Sequence, residues 1–303
     1  MIEMRLRRRA APAELKAKQG KILGTEDYNL LLTGPAYVRM PDNRPLCVYL
    51  PGVLTAEVDA PGVYEILHSI RTLQTNNRGR ASGSKGFVTR HGAARKAAGD
   101  WEGSPRPYNR KVASAIIGAV DPMGQTKACR LTAWTGRNLP QWEQLIPLLQ
   151  TVATKQRQYV NDRATAQQAV ADRANPAWIV PGTPFSTITV NNTYPTGVHT
   201  DKGDLDAGFS AISVLRCGEY TGGHLVFPEY RVAVDLRHGD LLLMDAHQWH
   251  GNTALVCACG TEPNGSCDVC GAERISIVSY FRTKVADCGT PEEELRRASA
   301  NRI

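Results

Sequence analysis

His199 and Asp201 stand two residues apart in "GVHTDKGDLDAGF" (197–209), and "GDLLLMDAHQWHGN" (239–252) supplies two more histidines, His247 and His250. Two histidines and one carboxylate on one side of a metal, with the opposite positions open, form the facial set of non-haem Fe(II) oxygenases. The open positions let iron hold an oxidisable cosubstrate and O2 together. Further on, "ERISIVSYF" (273–281) places Arg274 and Ser276 on one face of an apolar strand, because alternate residues of a strand share a side. An arginine among Ile, Val, Tyr and Phe is costly unless it meets an anion. The C5 carboxylate of 2-oxoglutarate, gripped bidentately by Arg274 with the Ser276 hydroxyl assisting, meets that need; an internal salt bridge is the alternative.

A third group is "CACGTEPNGSCDVCG" (257–271), in which Cys257-x-Cys259 and Cys267-x-x-Cys270 are each followed by glycine. Two short thiolate pairs at this spacing match a structural zinc site, with reduced loop thiols as the alternative. Eight cysteines among 303 residues are too sparse for a disulfide scaffold. Cys47, Cys129, Cys217 and Cys288 read as ordinary thiols.

The elements that must position these groups are strands. After Pro176 come "FSTITVNN", "AISVLRC", "GGHLVFP", "YRVAVDL", "GDLLLMDA" and "ISIVSYF" with no helical run between them, the texture of a sandwich or jelly roll. His199 and Asp201 fall in the loop after the first strand and His250 four strands later, where a jelly roll brings the chain back. From Pro140 to Pro176 the pattern is helical, with Leu145, Leu148, Leu149, Val152 and Tyr159 near helical spacing and Pro147 as an interruption. One or two packed helices are expected there. "LCVYLPGVL" (46–54) reads as strand and "VYEILHSIRTL" (63–73) as helix. The expected organisation is α+β: a basic segment 1–22, an N-terminal α/β and helical elaboration 23–177, and a double-stranded β-helix (jelly-roll) core 178–303 with a Cys-rich insertion at 257–270.

The formal net charge is +7, unevenly spread. Residues 1–22 carry seven Lys/Arg against two Glu, and residues 71–111 carry ten against Asp100 and Glu102. Within the latter, "TNNRGRASGSKG" (75–86) mixes cations with the small residues that approach a phosphate backbone closely. A basic first third on an enzyme points to a polyanion partner. No stretch is long and apolar enough to cross a bilayer as a helix, and a soluble, monomeric protein of the cytoplasm is expected, the host's cytoplasm if phage-encoded.

The order H-x-D, distal H, then R-x-S, in the wording "VNNTYPTGVHTDKGD" (190–204) and "HGNT…RISIVSYFR", resembles the Fe(II)/2-oxoglutarate dioxygenases of the TET/J-binding-protein branch, particularly their phage and fungal members. The resemblance covers about residues 178–285, with echoes in "NRGRASG" (77–83) and "CRLTAW" (129–134). It implies iron at His199, Asp201 and His250, the last preferred over His247 because it precedes the Gly-Asn found at the family's distal ligand. It implies Arg274 and Ser276 as the 2-oxoglutarate clamp, and Asn192 and Tyr194 as further contacts to that cosubstrate. It also places Asp204 and Arg282 against a methylated base flipped out of DNA. An ionised Asp204 accepts from the N4 amino group of cytosine, and Arg282 suits cytosine's acceptors. The expected reaction is therefore 5-methylcytosine to 5-hydroxymethylcytosine. Thymine hydroxylation, a prolyl-hydroxylase-like reaction on protein, and a catalytically silent DNA-binding module are the alternatives.

Overall fold

Successive side chains of the strand Leu241–Met244 are apolar in both directions: Leu241 and Leu243 join one buried cluster, Leu242 and Met244 another. A strand with this pattern must be covered on both faces. The computed structural model, which describes residues 1–75, 78, 81, 112–122, 127–261 and 265–300, shows what covers it. In chain order its strands are β1 (Ile2–Arg5), β2 (Leu30–Leu32), β3 (Ala36–Arg39), β4 (Pro45–Leu50), β5 (Ser114–Val120), β6 (Arg130–Leu131) and β7 (Thr187–Asn192). There follow β8 (Ser210–Cys217), β9 (Tyr220–Gly222), β10 (Leu225–Phe227), β11 (Val232–Val234), β12 (Leu241–Met244), β13 (Gly251–Asn252), β14 (Leu255–Cys257) and β15 (Glu273–Tyr280).

Among the described residues, nine strands form the major sheet in the order β1-β3-β4-β12-β8-β15-β7-β5-β6; four form a minor sheet, β13-β10-β11-β2, and β14 pairs with β9. The two larger sheets share a core of Val38, Leu46, Val214, Phe227, Val232 and Leu242, among others. The opposite face of the major sheet, with Ile188, Val190, Ile275 and Ile277, packs on helices through Leu145, Leu149, Ile66 and Leu67. This is the α+β double-stranded β-helix architecture that the strand pattern pointed to. All six expected strands are present. The sheets also cross the expected boundary at 177/178, since β1, β3, β4, β5 and β6 complete the major sheet and β2 the minor one.

Two helices, Leu139–Tyr159 and Asn161–Ala171, occupy the expected helical region. The first continues through Pro147 instead of breaking there. Pro147 lies on the exposed side, and the buried stripe of Trp142, Leu145, Leu148, Leu149 and Val152 offsets the ~3 kcal/mol that an internal proline costs. Cys129 and Cys288 correct an expectation: they are joined as a disulfide across 159 residues of sequence, inside a buried cluster with Trp178, Phe281 and Val285. Of the basic stretch 71–111, all but residues 71–75, 78 and 81 lies outside the described residues. No helix among the described residues is long and apolar enough to cross a membrane.

Candidate active site

The loop after β7 and the turn before β13 meet as a one-residue antiparallel bridge, His199 N–H donating to the His250 carbonyl at 2.8 Å and His250 N–H returning to His199 at 3.0 Å. That pairing sets the two imidazoles side by side, ring centroids 4.4 Å apart. Gly251 makes the approach possible, because a Cβ there would meet the Val198 backbone at 3.0 Å. Asp201 is fixed by its own N–H to the Ala246 carbonyl, 3.0 Å, just past the end of β12. Its two carboxylate oxygens lie 3.6 Å from His199 Nε2 and 3.6 Å from His250 Nε2.

The three ligand atoms fall within 4.8 Å of one another. Each histidine points its other nitrogen at a carbonyl: His199 Nδ1 at Gly197, 2.8 Å, and His250 Nδ1 at Gln248, 2.9 Å. Such bonds fix the tautomer that leaves Nε2 free for a metal. Burial, aided by the neighbouring His250, lowers the His199 pKa to about 4, so the ring is a neutral donor at physiological pH. Burial works against ionisation of Asp201, yet the His199 and His250 imidazoles hold its carboxyl well below the ordinary range. The donor set fits a divalent cation. His247 sits apart, its Nδ1 3.2 Å from Asp245 and its Nε2 3.3 Å from the Asp204 carbonyl, and the bond to Asp245 raises its pKa. A ring held towards its protonated form is a poor ligand.

One pocket is lined by His199, Asp201 and His250 together with Arg274 and Ser276. Arg274 is buried and its Nε has no hydrogen-bond partner among the described residues, a donor of the kind that a carboxylate would satisfy. The residues present thus fit both an iron ion and the acid that chelates it. Tyr194 also lines this pocket, and its hydroxyl donates to the Ala81 carbonyl.

Asn192 does not line the pocket. Ile275 pairs with Asn192 and Ser276 with Asn191, so Asn191 shares the pocket face with Ser276 while Asn192 falls on the helix side with Ile188 and Val190. Its amide donates to the fully buried Glu273, a carboxylate that Tyr64 (3.0 Å) and His68 (2.7 Å) also bind. Asn192 therefore anchors the start of β15 and leaves the pocket to Asn191, which bonds Ser114 Oγ at 2.5 Å. The alternation in "TITVNN" carried that parity. Sequence reasoning also missed Arg78, which lines the pocket with its guanidinium held by Ser114 at 2.7 Å and Thr189 at 3.3 Å. The echo "NRGRASG" covers it without marking it.

Asp204 and Arg282 face each other across a second isolated bridge and both line the pocket. Asp204 accepts from Ser210 Oγ at 3.0 Å. Burial first, and the Asp201 carboxylate second, push its pKa well above the ordinary range. Arg282 is engaged too, its Nη2 3.1 Å from each carboxylate oxygen of Asp121. Outside the pocket, Cys257, Cys259, Cys267 and Cys270 gather into one cluster.

A family model, Tet_JBP, the oxygenase domain of the 2OGFeDO superfamily, matches residues 121–283. Thymine dioxygenase JBP1 of Trypanosoma brucei brucei is 34% identical over 187 residues, 61% of this chain and 21% of that protein. Its namesake in Crithidia fasciculata is 32% identical over 191 residues, 62% of this chain and 22% of that protein. The chain thus spans about a fifth of the length of the curated relatives it matches. Among solved structures, NgTET1 in complex with 5mC DNA covers 92% of this chain and 88% of that one with a TM-score of 0.55, at 14% identity, a likeness of fold.

Proposed function

The chain belongs to the Tet_JBP family of 2-oxoglutarate- and iron-dependent oxygenases, and from that premise we propose that it hydroxylates the C5-methyl group of a pyrimidine in DNA, with thymine as the base. One observation carries the reading. A single pocket holds the His199–Asp201–His250 cluster, the unpartnered Arg274 Nε and the Asp204–Arg282 pair. Iron and 2-oxoglutarate, when bound with O2, supply the oxidising power for an unactivated C–H bond. The chain's own part is to hold them. His199, Asp201 and His250 would ligate the metal, Arg274 and Ser276 would take the far carboxylate, and the pocket would receive a base lifted from the stack, an extrusion that costs a few kcal/mol.

Thymine is preferred because the relatives at 32–34% identity are named thymine dioxygenases. The case for cytosine required an ionised Asp204. Burial pushes the Asp204 carboxyl towards its neutral form, and a protonated carboxyl offers one donor and one acceptor, which would complement N4–H and N3 of cytosine or O4 and N3–H of thymine equally well. 5-Methylcytosine is the second reading, favoured by Arg282 lining the pocket with donors for cytosine's acceptor edge.

The test is nucleoside mass spectrometry of DNA containing both bases, after incubation with the protein, Fe(II) and 2-oxoglutarate. 5-Hydroxymethyluracil is expected. 5-Hydroxymethylcytosine alone would move the assignment to the second reading, and neither product would reject both.

A further inference from the structure

The proposed reaction leaves Cys257, Cys259, Cys267 and Cys270 unused. Their four sulfurs lie within 4.8 Å of one another, and none is in a disulfide. The Cys259 and Cys267 sulfurs are 3.5 Å apart. That is far longer than an S–S bond of about 2.05 Å and near the ~3.8 Å edge of a tetrahedron with metal–sulfur bonds of about 2.3 Å.

Two similar turns present the thiols. Gly260 N–H donates to the Cys257 carbonyl and Gly271 N–H to the Cys267 carbonyl, both at 2.8 Å. Cys257 N–H closes on Thr261 and Cys267 N–H on Ala272, both at 2.9 Å. Each turn ends in a left-handed glycine, φ 82° at Gly260 and 67° at Gly271, a conformation that residues with a Cβ rarely adopt. Thr261 Oγ1 lies 3.2 Å from the Cys259 sulfur and 3.1 Å from that of Cys267, so a hydroxyl donor is already in place for thiolate charge.

The first turn ends β14, whose Cys257 pairs with Tyr220 of β9. The second leads straight into β15, and between them Gly265 N–H donates to the Asn192 carbonyl at 3.2 Å. The apolar support is slight: Tyr220, Leu255 and Ala272 with two of the cysteines themselves. We infer that the four cysteines bind one zinc ion, in a closed tetrathiolate site that ties the end of β14 to the start of β15, the strand bearing Arg274. Soft thiolates select zinc over the harder divalent ions, and four protein ligands leave no position open for chemistry, so the site is structural.

The experiment uses the full chain, purified without added zinc. Metal analysis should find about one zinc per chain that persists after iron is stripped, and cobalt exchanged into it should show intense thiolate-to-metal charge transfer that iron-site variants retain. Cys270→Ser, at an exposed ligand, should lose the zinc, lower the melting temperature and raise the apparent 2-oxoglutarate KM roughly two- to fivefold, below the 10–100-fold losses seen when groups directly supporting a catalytic metal are removed. Cys270→His, which keeps a ligand, should restore zinc and KM together. A folded wild-type chain without zinc, whose four thiols all react with iodoacetamide under native conditions, would overturn the inference. Iron in the tetrathiolate, or two disulfides in its place, would overturn it equally. Because the first measurement is made on wild-type protein, a variant that fails to fold leaves the decision intact.

Discussion

The two clusters in this chain differ in the way that separates reactive from structural metal sites. His199, Asp201 and His250 supply three nitrogen and oxygen donors from distant parts of the chain, brought together by a backbone bridge and backed by two carbonyls. The four cysteines come from one short insertion and present only sulfur. Three donors on one side of an ion leave room for substrate, whereas four close the shell. The first arrangement needs the whole sheet to exist; the second needs two turns. Their juxtaposition also has a direction, since β15 starts at the cysteines and carries Arg274 and Ser276 into the pocket.

The comparison can be broken most decisively at the triad. His199→Ala, Asp201→Ala and His250→Ala should each abolish succinate formation while leaving zinc content at the wild-type level, because the two shells share no ligand. Loss of zinc in any of them would show that the clusters are not independent. Arg274→Ala comes next. Hydrogen bonds to charged groups are worth about 1.5–3 kcal/mol, so the apparent KM for 2-oxoglutarate should rise roughly ten- to hundredfold; an unchanged KM would remove Arg274 from the cosubstrate. Asn192→Ala should act on stability instead, costing about 1–3 kcal/mol in urea denaturation by depriving the buried Glu273 carboxylate of a donor. A KM effect without a stability effect would put Asn192 back in the pocket. The smallest change is expected of His247→Ala, within about threefold of wild-type turnover, as for substitutions away from a site's key contacts. Abolished turnover there, with His250→Ala active, would reverse the choice of distal ligand.

What could be read from the sequence follows the range of the interactions involved. The six C-terminal strands were legible as short apolar runs punctuated by glycine and proline, and the H-x-D pair from its spacing. The partnership of His250 with His199 required counting strands around a jelly roll, and it holds. Parity, not pattern, misplaced Asn192: Ile188 and Val190 fix which side of β7 faces the helices, and a shift of one residue exchanges the faces. The Cys129–Cys288 disulfide had no local signal across 159 residues. Nor did the pairing of β4 with β12, which draws an N-terminal strand into the middle of the sheet. The upward pull on the Asp204 pKa was equally hidden, because burial and the distance to Asp201 are properties of the folded chain.

The position of β15 bears on how the molecule is made. It lies between β8 and β7, yet residues 273–280 leave the ribosome after every other strand. Until then β1, β3, β4, β12 and β8 can assemble on one side and β7, β5 and β6 on the other, each half ending in an unsatisfied strand edge. Contacts so distant in sequence make for slow folding, and open edges invite pairing with other chains. The strand that carries Arg274 and Ser276 into the pocket is thus also the keystone whose late insertion closes the sheet, so substitutions in β15 should reduce the yield of folded protein as well as the rate at which it works.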